Sequence, residues 1–181
     1  MKNYYLFSIF FFFVLNVNSQ NNTTWMLNSD KSQIQYTAKH LLHKWNGIND
    51  KVKGVFLFNE KSKIAISANI ADFDSGISNR DSNALRVLNA LNYPQVKFYS
   101  DEITFTSGNI NFIGELDFHG KKIKKTVNAI FLNDSENISI EGSFSIVLTD
   151  FDIKLPSLML VKMEDFADIK FKLIFEKPSL N

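Results

Sequence analysis

From residue 32 to residue 176 most of the chain alternates apolar and polar side chains with period two, the pattern of strands that bury one face. Residues 32–40 place Ile34, Tyr36, Ala38 and His40 on one side and Gln33, Gln35, Thr37 and Lys39 on the other. The same parity runs through Ile64, Ile66, Ala68 and Ile70, then through Ile110, Phe112, Gly114, Leu116 and Phe118. It returns in residues 138–148 and in a last strand with Ala167, Ile169, Phe171, Leu173 and Phe175. Shorter strands are expected at residues 23–27, around Trp25, and at 52–58. A strand with Ile123, Val127, Ala129 and Phe131 returns after His119-Gly120. In residues 96–106 the parity switches between Phe98 and Ile103, which predicts a bulge near residues 100–102. Ser107-Gly108-Asn109, His119-Gly120 and residues 133–137 read as hairpin turns. Residues 41–50 and 150–162 read as irregular loops. The chain is therefore expected to be all-β, with about eight antiparallel strands in hairpin order closing into a barrel that leaves no exposed edge.

One stretch breaks this rhythm. In residues 79–98, NRDSNALRVLNALNYPQVKF, the apolar positions Ala84, Leu85, Leu88 and Leu91 recur at three- and four-residue spacing, one face of a helix. Asn79, Asp81 or Ser82 can supply a capping oxygen. Asn92 and Pro94 stop the helix, because the residue before proline is pushed towards extended geometry. A single short amphipathic helix among strands is expected to lay its leucine face over the barrel opening.

Composition adds location and limits. Lys2, an apolar run over residues 4–15 and a small residue at Ser19 have the form of a secretory signal peptide. The run is short for a membrane span. The expected division is a signal peptide at 1–19 and one barrel domain at 20–181, periplasmic or secreted after cleavage near Ser19 and Gln20. With no cysteine, stability outside the cytoplasm must come from packing. Beyond residue 19 the chain holds 19 basic and 19 acidic residues. Such a balance argues against a nucleic-acid partner, which would need a basic surface. Phenylalanine is abundant, 18 in all, five of them in the first 19 residues. It brings large apolar area without a polar handle, and serves either a packed core or an apolar cavity.

Alternate side chains of a barrel strand face its interior. By parity the inward set is Ile34, Tyr36, Phe56, Phe58, Ile66 and Ile70 from the first strands, and Phe98, Phe112 and Leu116 from the middle. Phe144, Ile146, Ile169, Phe171 and Leu173 follow from the last two. If the interior is a cavity, these residues bind its ligand together with His40 at the strand end and Leu85 and Leu88 of the cover. A nucleophile motif is absent from the sequence: there is no G-x-S-x-G and no cysteine, and no glycine-rich phosphate loop. His40, His43 and His119 are the only histidines and lack the spacing of a metal site, so neither metal nor cofactor is expected. They leave one alternative open, a small extracytoplasmic enzyme using a histidine as acid or base. Arg80 and Asp81 are expected to be structural, since an Asp at a helix start already has a capping role; the alternative is that they fix the helix on the rim and line the mouth.

Several segments come in a particular order: the Trp25 strand, the strand ending in YTAKH, the helical stretch quoted above, the hairpin GELDFHGKKIKKTV, Pro156 and a closing strand with Asp168. In that order they resemble the YceI-like family of secreted proteins, from about Trp25 to Glu176. The resemblance implies a lipocalin-like extended barrel and binding of a long amphiphilic lipid, a polyisoprenoid or isoprenoid quinone, in its apolar interior. Many relatives carry His where this chain has Asn83, and the loop HLLHKWNG is bulkier here. The resulting expectation is a carrier or reservoir for such a lipid, monomeric or homodimeric, in transient contact with a membrane.

Overall fold

The computed structural model describes residues 24–41, 43–158 and 160–178; the expected signal peptide lies outside them. The strands are β1 (Thr24–Leu27), β2 (Gln33–His40), β3 (His43–Asn49), β4 (Lys53–Leu57) and β5 (Lys63–Asn69). After the helix α1 (Ser78–Val87) come β6 (Gln95–Thr106), β7 (Asn109–Phe118), β8 (Lys121–Asn133) and β9 (Asn137–Val147). The chain ends with a small hairpin, β10 (Ser157–Leu158) and β11 (Val161–Lys162), and β12 (Phe166–Glu176). All main-sheet pairings are antiparallel. The order β1-β4-β5-β6-β7-β8-β9-β12 closes on itself through β1 and β12, an eight-stranded barrel, and β2 and β3 extend the sheet from β12.

The two ends of the barrel differ. β1 and β2 run along the same edge of β12: Met26 and Leu27 face Glu176 and Phe175, while Ile34 and Tyr36 face Phe171 and Ile169. A short 3-10 turn at Ser29–Lys31 separates them. β1 then pairs with β4 and closes the narrow end. β2 pairs with β3, which reaches the far wall through one bridge, Ile48 to Asp74. On the opposite side β8 and β9 pair only over residues 129–133 and 138–142. Beyond that point Phe151 and Ile153 pack beside Ile123, and the His119 Nδ1–H donates to the Phe151 carbonyl at 2.8 Å. Both insertions lie towards one end, so the barrel is splayed there and narrow at the other.

Several local expectations are met. The β6–β7 register shifts between Tyr99 and Glu102, and Ser100 Oγ donates to the Ile113 carbonyl at 2.9 Å inside the bulge. His119 and Gly120 both have positive φ, 52° and 78°, as a tight two-residue hairpin requires. Others need correction. Residues 43–49, expected as loop, form β3; its polar sequence carries no apolar run, and only pairing with β2 makes it a strand. The irregular 150–162 stretch contains the β10–β11 hairpin. Helix α1 begins with Ile77 at the cap position and no side-chain cap; Asp81 accepts from the Ser75 N–H instead. It ends at Val87, Asn89 turns the chain at φ 46°, and Leu91 is left 98% exposed instead of joining the leucine face.

The narrow half of the interior is solid. Phe56, Phe175, Ile110, Ile138 and Ile140 are all but fully buried there. Phe58, Phe105 and Phe131 contact one another with centroids 5.1–5.7 Å apart, the tilted geometry that aromatic quadrupoles favour.

Candidate functional site

The splayed half is hollow. A cavity of about 790 Å³ lies between the Phe-filled half and α1, within the usual range for small-molecule sites. Ile34, Ile66, Phe98 and Phe144 line it and also pack against the solid half, forming the floor. The change from solid to hollow follows side-chain size. Along β12 the inward residues grow from Ala167 through Ile169 to Phe171, Leu173 and Phe175; Ala167 and Ile169 line the cavity and the other three do not. Ala38 on β2 and Ala68 on β5 leave further room. The cover is α1, through Ala84, Val87 and Leu88, together with Ile153 and Met163 from the β9–β12 connection.

Polar groups gather on one side of the mouth. Tyr36 lies against Gly47 directly across the β2–β3 ladder; a Cβ at Gly47 would stand 2.4 Å from the tyrosine ring, so only glycine leaves that space. The Tyr36 ring also meets Phe73 at 5.7 Å. Burial, and after it the nearby Asp81 carboxylate, raises the Tyr36 pKa above its usual value, against the Trp45 N–H bond to its oxygen and the Arg80 charge. Arg80 stands 5.6 Å from the Trp45 ring centroid, a favourable placement for a guanidinium. Asn79 and Asn83 line the same rim, and Arg86 donates to Asn83 Oδ1 at 2.7 Å. The cluster is rich in donors, with Asp81 its one carboxylate. It suits a ligand that is apolar along its length and carries hydrogen-bond acceptors at one end.

Residues 25–175 match the YceI-like domain. The chain belongs to the YceI-like family. Solved structures agree on the fold. BcnA of Burkholderia cenocepacia is 20% identical, with 82% of this chain and 98% of that one covered at a TM-score of 0.75. A polyisoprenoid-binding domain from Saccharophagus degradans is 14% identical, covering 86% and 99% at 0.70. The YCEI protein of Campylobacter jejuni is 16% identical, covering 67% and 79% at 0.55. None of the curated proteins compared matches the sequence.

In this YceI-like barrel the expected ligand residues, Leu85 apart, fall into two groups. Ile34, Tyr36, His40, Ile66, Ile70 and Leu88 line the cavity, as do Phe98, Leu116, Phe144, Ile146 and Ile169. Phe56, Phe58, Phe112, Phe171 and Leu173 point inward but belong to the solid half. Strand parity reports which face is inside; it does not report depth along the axis. Leu85 packs with the mouth-end cluster without lining the cavity. Sequence reasoning missed Trp45 on β3 as a lining residue, considered His43 only as an acid or base, and placed Ala38, Ala68 and Ala167 on inward faces without counting them among the ligand residues. The alanines had a signal, since small residues in an otherwise bulky inward row mark space.

The histidines are separated. His40 donates its Nε2–H to the Val161 carbonyl at 2.8 Å. His119 is held by Phe151 and stacks with Tyr93 at 4.9 Å. Among the described residues no group of three His, Cys, Asp or Glu side chains is placed to hold a metal.

Proposed function

We propose that this protein is an extracytoplasmic carrier or reservoir for a long amphiphilic lipid of the isoprenoid class, a polyisoprenoid or an isoprenoid quinone. The observation that carries the reading is the half-hollow barrel: an apolar cavity closed below by phenylalanine and bordered above by donors. Transfer of an apolar chain from water contributes roughly 0.8 kcal/mol per buried CH₂, so the tail needs no polar anchor. The Tyr36, Trp45 and Arg80 cluster would orient the head, offering donors to a carbonyl or phosphate oxygen. The polyisoprenoid-binding neighbour from Saccharophagus degradans supports the ligand class. Export is inferred from the first 19 residues, and mature protein is expected to begin at Gln20; intact mass of protein expressed in a bacterial host tests this. Organic extraction and mass spectrometry of the purified protein test the central reading. A stoichiometric isoprenoid lipid is expected. Protein that carries none, and that fails to take up added polyprenol or quinone, would end it.

A further inference from the structure

Two hairpin tips stand beside the cavity mouth, the β2–β3 turn with Leu41 and the β10–β11 turn with Leu160. Both leucines have positive φ, 52° and 65°. This left-handed region brings a side chain's Cβ against its own carbonyl, and glycine or asparagine occupies it with less strain. Among the described residues the other non-glycine positions with positive φ are Asn89, His119 and Asp152, all polar. Leu41 is 48% exposed and Leu160 fully exposed. The chain thus holds two apolar side chains in water, in a backbone conformation suited to other residues.

The tips are tied to each other. His40, next to Leu41, donates to the Val161 carbonyl, next to Leu160, at 2.8 Å. The Glu164 N–H donates to the Lys39 carbonyl at 2.9 Å, and Lys39 Nζ lies 2.6 Å from Glu164 Oε1. Both tips adjoin the cavity, whose lining includes His40 and His43 from one hairpin and Ser157 and Met163 from around the other. The two tip segments themselves are basic, though Asp152 and Asp165 flank the second. Residues 39–44 and 154–164 contain Lys39, Lys44, Lys154 and Lys162 against one carboxylate, Glu164, which Lys39 neutralises. Lys154 and Lys162 border one shallow depression together with Asp152, whose carboxylate is paired with Lys121.

We propose that this pair of tips is a docking surface for an anionic lipid bilayer. Leu41 and Leu160 enter the interfacial layer while Lys44, Lys154 and Lys162 meet the phosphates. Apolar insertion and cation attraction act together in such binding, and neither alone explains why strained leucines sit among lysines. The placement gives a ligand a short route between membrane and cavity. This inference rests on the carrier reading, since it assigns the mouth a lipid to exchange.

The test uses mature full-length protein and vesicles of phosphatidylcholine with and without phosphatidylglycerol. Leu41→Asn with Leu160→Asn suits both turns, so the melting midpoint is expected to hold or rise. Partitioning onto anionic vesicles is expected to fall by roughly tenfold or more, with co-purified lipid unchanged because neither leucine lines the cavity. A second variant, Lys44→Gln with Lys154→Gln and Lys162→Gln, is expected to lose the preference for anionic vesicles and its salt dependence. Wild type that ignores anionic vesicles, or a leucine variant that partitions like wild type, overturns the docking surface. So does a wild-type dimer that the leucine substitutions make monomeric without vesicles, since the tips would then pair two copies. An empty organic extract from a vesicle-binding wild type would overturn the carrier reading alone.

Discussion

Ala68 and Ala129 are both buried alanines on inward faces, yet they sit in different physical surroundings. Ala68 lines the cavity; Ala129 packs in the solid half, where even a Cβ added at Gly142 would lie 3.0 Å from it. Ala68→Phe should therefore leave unliganded stability within about 1 kcal/mol while abolishing lipid uptake, because the new ring enters empty space. Ala129→Phe should cost about 1–3 kcal/mol or more, through overpacking. Urea denaturation and lipid titration of both variants separate the cases, and equal destabilisation would mean the splayed half is also packed. Tyr36 supplies a pH test. Its folded pKa is raised above an ordinary value near 10, first by burial and then by Asp81. The folded state thus holds this proton more tightly than the unfolded chain. The resulting stability is complete below the unfolded value and is lost as pH rises through the folded one. Wild type should lose stability more steeply than Tyr36→Phe in that alkaline window; parallel denaturation curves across it would contradict the assignment. The sequence made Tyr36 legible as inward-facing, but its partners come from β3 and α1 and could not be read from it.

Helix α1 shows how much of an element its periodicity carries. Its existence and its leucine spacing were readable because few residues in this chain depart from period two. Its end was not, since Asn89 in the left-handed region stops it a turn before Leu91. The two leucines now make a matched pair. Leu88 lines the cavity under the cover, whereas Leu91 is 98% exposed. Leu88→Asp should destabilise by about 1–3 kcal/mol and lower lipid occupancy, since it sets a charge against apolar groups. Leu91→Asp should stay within about 0.5 kcal/mol of wild type. If denaturation and extraction found the two variants alike, α1 would not be a cover. β3 failed to read as a strand for the opposite reason. Its hydrogen bonds go to β2 and its inward positions are Trp45, Gly47 and Asn49, a row without the repeated apolar residue that marks a strand.

At the scale of the whole barrel, stability should be unevenly spread. The narrow half has continuous ladders and a phenylalanine core; the splayed half depends on one bridge from β3, a short helix and a loop. Segments with few buried contacts open below the global free energy. Amide hydrogen exchange should accordingly show α1, β3 and the β10–β11 hairpin exchanging faster than β7, β9 and β12. Added lipid should slow the first group selectively. Stripping bound lipid should also lower the melting temperature, by an amount equivalent to about 2.7 kcal/mol when free lipid stands at a hundredfold its Kd. Uniform protection in lipid-free protein would show that the hollow half is not the weaker one.

From the sequence alone came the all-β class, the antiparallel hairpin order, the bulge after Tyr99, the single helix and the inward parity of nearly every long strand. Each is a local property, written in spacing of two or of three to four residues and in turn residues that tolerate positive φ. The tertiary structure decided where the interior is hollow. Ala167 and Phe175 have the same parity on the same strand, and what separates them is height along the barrel axis. That height is set by which strand edges meet: β1 with β4 at one end, β2 with β3 at the other. The closed sheet also brings the β2–β3 tip to the β10–β11 hairpin, through His40 and Val161, and Tyr36 near Arg80. No periodicity in the chain encodes those meetings, because they arise from how the sheet closes and not from any one strand.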